Sequence, residues 1–91
     1  MPTVRDRLPF VKEQLLGVAE EGGVYVLWAG MAALHVGSTE GEAVGLRTKL
    51  QRHLIGVQSP SPPQATHFSY EVSSDRRARH IEIVAEIGRR I

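Results

Sequence analysis

The stretch from Gly22 to Glu40, GGVYVLWAGMAALHVGSTE, constrains the fold more than any other part of the chain. Val24–Ala29 is rich in β-branched and aromatic residues, which suit a pleated, half-buried surface. Gly30-Met31 interrupts that run, and Ala33–Gly37 returns. Two such runs joined by a glycine turn predict an antiparallel hairpin. The hairpin carries Tyr25 and, ten positions later, His35. Side chains alternate along a strand, so these two share a face only if the turn holds an odd number of residues. A two-residue Gly30-Met31 turn puts them on opposite faces, and the sequence admits both.

The remaining segments alternate in type. Pro9 suits the first turn of a helix, where its missing N–H costs nothing. From there FVKEQLLGVAEE reads as a short amphipathic helix ended by Gly22-Gly23. A polar loop, STEGEAVG, follows the hairpin. Next, LRTKLQRHLI places Leu46, Leu50 and Leu54 at a spacing of four, one stripe of a helix. GVQSPSPPQAT is proline-rich and reads as a surface loop. HFSYEV reads as a third strand. SSDRRARHIEIVAEIGRRI reads as a final helix, capped by Ser73 or Ser74. The order is α-β-β-α-β-α, an α/β (α+β) class within one domain, residues 1–91. No internal repeat is visible.

At 91 residues with no cysteine, the chain has neither a disulfide framework nor thiolates for zinc. No apolar run approaches the roughly 20 residues that span a bilayer. The N-terminus lacks the apolar core of a signal peptide. A soluble, cytoplasmic protein is the expectation. Charge is unevenly spread: residues 1–44 hold three basic and six acidic side chains, residues 45–91 eight and four. A C-terminal half at +4 is the electrostatic footprint expected for a phosphate backbone, although surface helices also favour Arg and Lys.

Helical geometry sorts the candidates for chemistry. Lys49 and His53 lie one turn apart on the same flank of the leucine stripe, whereas Arg47 lies about 160° from Lys49. In the last helix Ala78, Ile81, Val84, Ala85 and Gly88 are expected to face the core, with Glu82 at the rim of that stripe. A half-protected carboxylate there suits a metal ion, but by itself the position favours an ordinary snorkelling glutamate.

With these residues in hand, the chain resembles the GIY-YIG nuclease superfamily. Gly23-Val24-Tyr25 looks like the first signature tripeptide, and His35-Val36-Gly37 like the second, with histidine in the tyrosine position. GLRTKLQRHL is similar to the family's helix, which bears a functional arginine and, four residues later, Tyr or His. These fall on Lys49 and His53. FSYEVSSDRRARHIEIVAEI resembles the third strand and the helix bearing the metal-binding glutamate, which falls on Glu82. The resemblance runs from about Gly22 to Ile87. It implies a three-stranded antiparallel sheet flanked by helices and metal-dependent hydrolysis of DNA phosphodiesters. One Mg²⁺ (or Mn²⁺) on Glu82 would polarise the phosphate. Tyr25 would orient or deprotonate water, and a cation beside the phosphate would stabilise the transition state. Apart from the resemblance, Arg47, Arg52 and Arg77 are the arginines through which a nucleic-acid binder would hold DNA. Two residues depart from the pattern. An imidazole at position 35 still takes a proton near neutral pH. Lysine at position 49 loses the two-pronged grip of a guanidinium, for which Arg52 is the better substitute because Arg47 projects from the wrong flank. Three readings follow: an endonuclease, a GIY-YIG-like domain that binds nucleic acid or a protein without cleaving, and an α/β domain whose similar residues serve only the core.

Overall fold

The computed structural model describes residues 3–58 and 60–89, the side chains of residues 88 and 89 excepted. Its elements run β1 (Leu8–Pro9), α1 (Lys12–Leu15), β2 (Gly23–Ala29), β3 (Ala32–Ser38), α2 (Leu46–Leu54), β4 (His67–Val72) and α3 (Arg76–Arg89). The expected hairpin, middle helix, third strand and last helix are present. The sheet has four strands rather than three, in the order β1-β4-β2-β3, with all neighbours antiparallel. Leu8 and Pro9 supply the extra strand by pairing with Phe68 and His67. Pro9 therefore lies on a sheet edge, where a missing N–H is tolerated, and not in a helix. The helix expected over residues 10–21 shrinks to one turn. Gly17 disfavours its continuation, and both Leu15 and Val18 turn into the core instead.

Strand alternation divides the core into two layers. Tyr25 and Leu27 point to one face, where Leu15, Val18, Leu46, Leu50 and Phe68 cover them. Val24 and Val26 point to the other, covered by Val4 from the N-terminal segment and Ile83 from α3. Helices α1 and α2 thus belong to the Tyr25 side and α3 to the opposite side.

Helix α3 corrects two expectations. The residues it turns inward are Ile83, 1 % exposed, and Ile87, whereas Ala78, Ile81, Val84 and Ala85 are exposed. Gly88 lies outside the residues whose side chains are described. Two apolar stripes run along this helix, and the β-branched pair spaced four apart won the sheet. Its N-terminus is capped by Asp75, whose carboxylate accepts the Ala78 N–H at 3.2 Å, and not by Ser73 or Ser74.

No helix among the described residues is long and apolar enough to cross a membrane.

A candidate site around Tyr25

The turn of the hairpin is Gly30-Met31, since Ala29 pairs with Ala32. Gly30 has φ +59° and no other residue there has positive φ, the pattern of a type II′ turn. An even turn alone would put Tyr25 and His35 on opposite faces. The register then shifts between Leu27 and Trp28: Trp28 pairs with Ala33, but Leu27 pairs with His35. Leu34 is the extra residue, a β-bulge that reverses the alternation beyond it. His35 therefore stands across from Leu27 and diagonal to Tyr25, on the same face. The bulge does what an odd turn would have done.

Tyr25 sits opposite Gly37. A Cβ on Gly37 would fall under 3.0 Å from the phenol ring. The glycine two residues after the histidine is thus the space into which the tyrosine lies. Gly23 is equally constrained, because a Cβ there would meet Leu46 of α2 and the Glu71 carbonyl. Both glycines of the two tripeptides have packing roles.

Helix α2 brings the remaining groups. It begins at Gly45, whose missing Cβ leaves room for Glu20. The Glu20 carboxylate accepts the Thr48 N–H at 3.0 Å and also its hydroxyl, capping the helix from outside. These bonds hold the Glu20 carboxyl below the usual carboxylate range. So anchored, α2 buries Leu46, Leu50 and His53 and aims Lys49 at the same region.

The result is a tight cluster. The Tyr25 hydroxyl lies 2.8 Å from His53 Nε2. His53 Nδ1 lies 3.1 Å from the Pro60 carbonyl, which accepts and cannot donate, so Nδ1 carries the proton. Burial, with smaller repulsion from His35 and Lys49, lowers the His53 pKa against the opposing Pro60 bond. In the neutral ring Nε2 is an acceptor, and Tyr25 donates to it. Burial and then the Glu42 charge push the Tyr25 phenol well above its ordinary range. The His35 ring lies 5.9 Å from that of Tyr25 and 5.4 Å from that of His53. It is half-buried, and its pKa is lowered by burial, by His80 and by Lys49. Lys49 pairs with Glu42, and Arg52 Nη1 approaches the same carboxylate at 3.9 Å.

Tyr25, His35, Lys49 and His53 are therefore brought together, and Glu82 is not. Glu82 stands on α3, exposed, with its carboxylate 3.6 Å from Arg79. Arg79 in turn holds Glu71, which pairs with Val24 on the α3 face of the sheet. The acid expected to hold a metal lies across the sheet from the phenol. Around α3 it is also about 160° from His80, the residue whose charge reaches His35. Mg²⁺ demands several oxygen ligands in near-octahedral order. A protein commonly supplies only one or two of these as carboxylates, water and substrate phosphate supplying the rest. The Glu82 side chain is 65 % exposed beside Arg79, and no group of three or more ligating side chains occurs among the described residues.

Of the arginines, Arg47 is on the flank away from Lys49, as helix geometry requires, and its Nε donates to the Val18 carbonyl at 2.8 Å. It is a structural clamp between α2 and the segment after α1. Arg77 is exposed. Sequence reasoning missed Glu42 and His80. Glu42 lies in an aperiodic loop, held by its N–H to the Thr39 carbonyl at 3.1 Å. His80 lies one turn before Ile83, a spacing that marks it once the true inner stripe is known.

No protein-family model, no curated protein and no solved structure matches the chain.

Proposed function

We propose that this chain is a GIY-YIG-like domain that engages the phosphate backbone of DNA without hydrolysing it. One observation carries the reading: four of the five residues expected at the site meet on one face of the sheet, while Glu82 stands on the other beside Arg79. Arg52 on the outer side of α2, the enclosed Lys49 and half-buried His35 behind it, and the exposed Arg77, one turn before His80 on α3, offer cations and hydrogen-bond donors to phosphate oxygens. The buried phenol is 1 % exposed and serves to fix His53 rather than to meet a substrate.

A second reading, an endonuclease using Mg²⁺ or Mn²⁺, is favoured by the Tyr25–His53 bond. A phenol donating to a neutral imidazole, itself anchored on a carbonyl, has a general base within hydrogen-bond reach.

The two separate in one pair of measurements. Anisotropy of a labelled duplex between 50 and 200 mM salt should show binding that weakens with salt. The log–log slope should be shallower by about 0.9 for each phosphate that Arg52→Ala or Arg77→Ala leaves without its cation. Plasmid nicking with Mg²⁺ or Mn²⁺ should stay at background. Nicking abolished by both Tyr25→Phe and Glu82→Ala establishes the nuclease instead. No binding at 50 mM salt leaves a domain whose similar residues serve only its core.

A further inference from the structure

The α3 side of the sheet holds a concave site of about 670 Å³, remote from Tyr25. That volume lies within the roughly 300–1,000 Å³ usual for small-molecule sites. Trp28 and Ala33 of the hairpin, Val4 of the N-terminal segment, and Ile83 and Ile87 of α3 make its apolar walls. Two cations, Arg5 and Arg7, stand at it with one acid, Glu86.

The walls are fixed in advance. Trp28 Nε1 donates to Ser69 Oγ at 2.9 Å, and the Ser69 hydroxyl donates to the Val4 carbonyl at 2.6 Å. The indole and the N-terminal segment are thus tied to the same buried hydroxyl, so little side-chain ordering remains to oppose a ligand. The two arginines differ. Arg5 Nη2 is 2.8 Å from Glu86 Oε1, which closes one side and answers its charge. Arg7 makes no ion pair among the described residues. Its guanidinium carbon lies 5.2 Å from the centre of the Trp28 ring, a cation–π contact that holds the fork at the pocket without neutralising it.

We infer that this pocket binds a small amphipathic anion, an aryl or short acyl body ending in one carboxylate. The body lies against Trp28, Ile83 and Ile87, and the carboxylate is held by Arg7. One unanswered guanidinium matches one carboxylate in charge, and its planar fork matches it in shape. The site is independent of the DNA reading, because none of its lining residues belongs to the Tyr25 cluster or is among the cations assigned to phosphate.

Trp28 is the only tryptophan in the chain, so its emission reports this pocket. The probe is 4-phenylbutyrate at pH 7, with 4-phenylbutyramide as its neutral counterpart, followed by Trp28 emission and independently by calorimetry. Saturable binding is expected, at least tenfold weaker for the amide and for the acid with Arg7→Gln. Ala33→Leu, which fills the pocket, should weaken acid and amide alike. Each variant is checked for an unchanged far-ultraviolet dichroism spectrum. Equal affinity for acid and amide, an unaffected Arg7→Gln, or no saturable binding at millimolar probe overturns the inference. None of these outcomes bears on duplex binding.

Discussion

The Tyr25 hydroxyl donates to His53 Nε2 across 2.8 Å, and both residues are 1 % exposed. This bond links β2 to α2 inside the core, and His53 passes it on to the loop at Pro60. Tyr25→Phe keeps the ring and removes the donor. A buried Nε2 then lacks a partner, which costs about 1–3 kcal/mol. Urea unfolding should show that loss in the midpoint at an unchanged slope. A change within about 0.3 kcal/mol would mean that water reaches Nε2 and the pair is not sealed.

Gly37→Ala tests the space beneath the phenol. The added methyl meets a ring that cannot retreat, because Leu46 and Leu50 are fully buried behind it. Overpacking of this kind costs about 1–3 kcal/mol, and the Tyr25–His53 bond should be strained as well. Combined with Tyr25→Phe, the cost should be less than additive, since both changes act on one ring. Strict additivity in the double-mutant cycle would separate the two effects.

Acidification should destabilise the fold through the two histidines. Burial is the first cause of the lowered pKa in both. A base with a folded pKa below its unfolded value binds protons more readily in the unfolded chain. Its contribution is complete above the unfolded pKa, about 6.5, and declines as pH falls from there towards the folded pKa. The urea midpoint should therefore be level from pH 8 to 7 and fall below about 6.5. The part of that fall due to these rings should disappear in His35→Gln combined with His53→Gln, whose lower starting stability does not alter the test of slope.

Much of this architecture was legible in the sequence because it is periodic. The leucine spacing of α2 located the helix and, by arithmetic, the flank shared by Lys49 and His53 and denied to Arg47. HFSYEV matched β4 residue for residue. What escaped was aperiodic or ambiguous. The Leu34 bulge is a register irregularity that shows only when β3 is paired. Helix α3 carries apolar residues on two stripes, and propensity cannot say which the sheet will take. Choosing Ala78–Ile81–Val84 put Glu82 at the core's rim, and choosing Ile83–Ile87 puts it beside Arg79, across the sheet from Tyr25. The two-residue β1 contains a proline, which reads as a helix start as readily as an edge.

Glu42→Gln should weaken the fold and tighten the grip on DNA. Its carboxylate pairs with Lys49, whose side chain is 11 % exposed, and lies 3.9 Å from Arg52. Without it, an ammonium remains half-enclosed beside His35 and His53. Losing one partner of a fully buried pair costs about 3–5 kcal/mol. Glu42 is itself 32 % exposed, so about 1–2 kcal/mol is expected in urea unfolding after allowance for solvent screening. Two cations are then released for phosphate, and the log–log salt slope of duplex binding should steepen by roughly 1–2. Tyr25 should also ionise at lower pH, because one cause of its raised pKa is gone. Glu82→Gln, on the other face, should move stability by no more than about 0.5 kcal/mol and leave the salt slope unchanged. Should Glu82→Gln alter DNA binding while Glu42→Gln does not, the phosphate would lie on the α3 side, and the Tyr25 cluster would be core and nothing more.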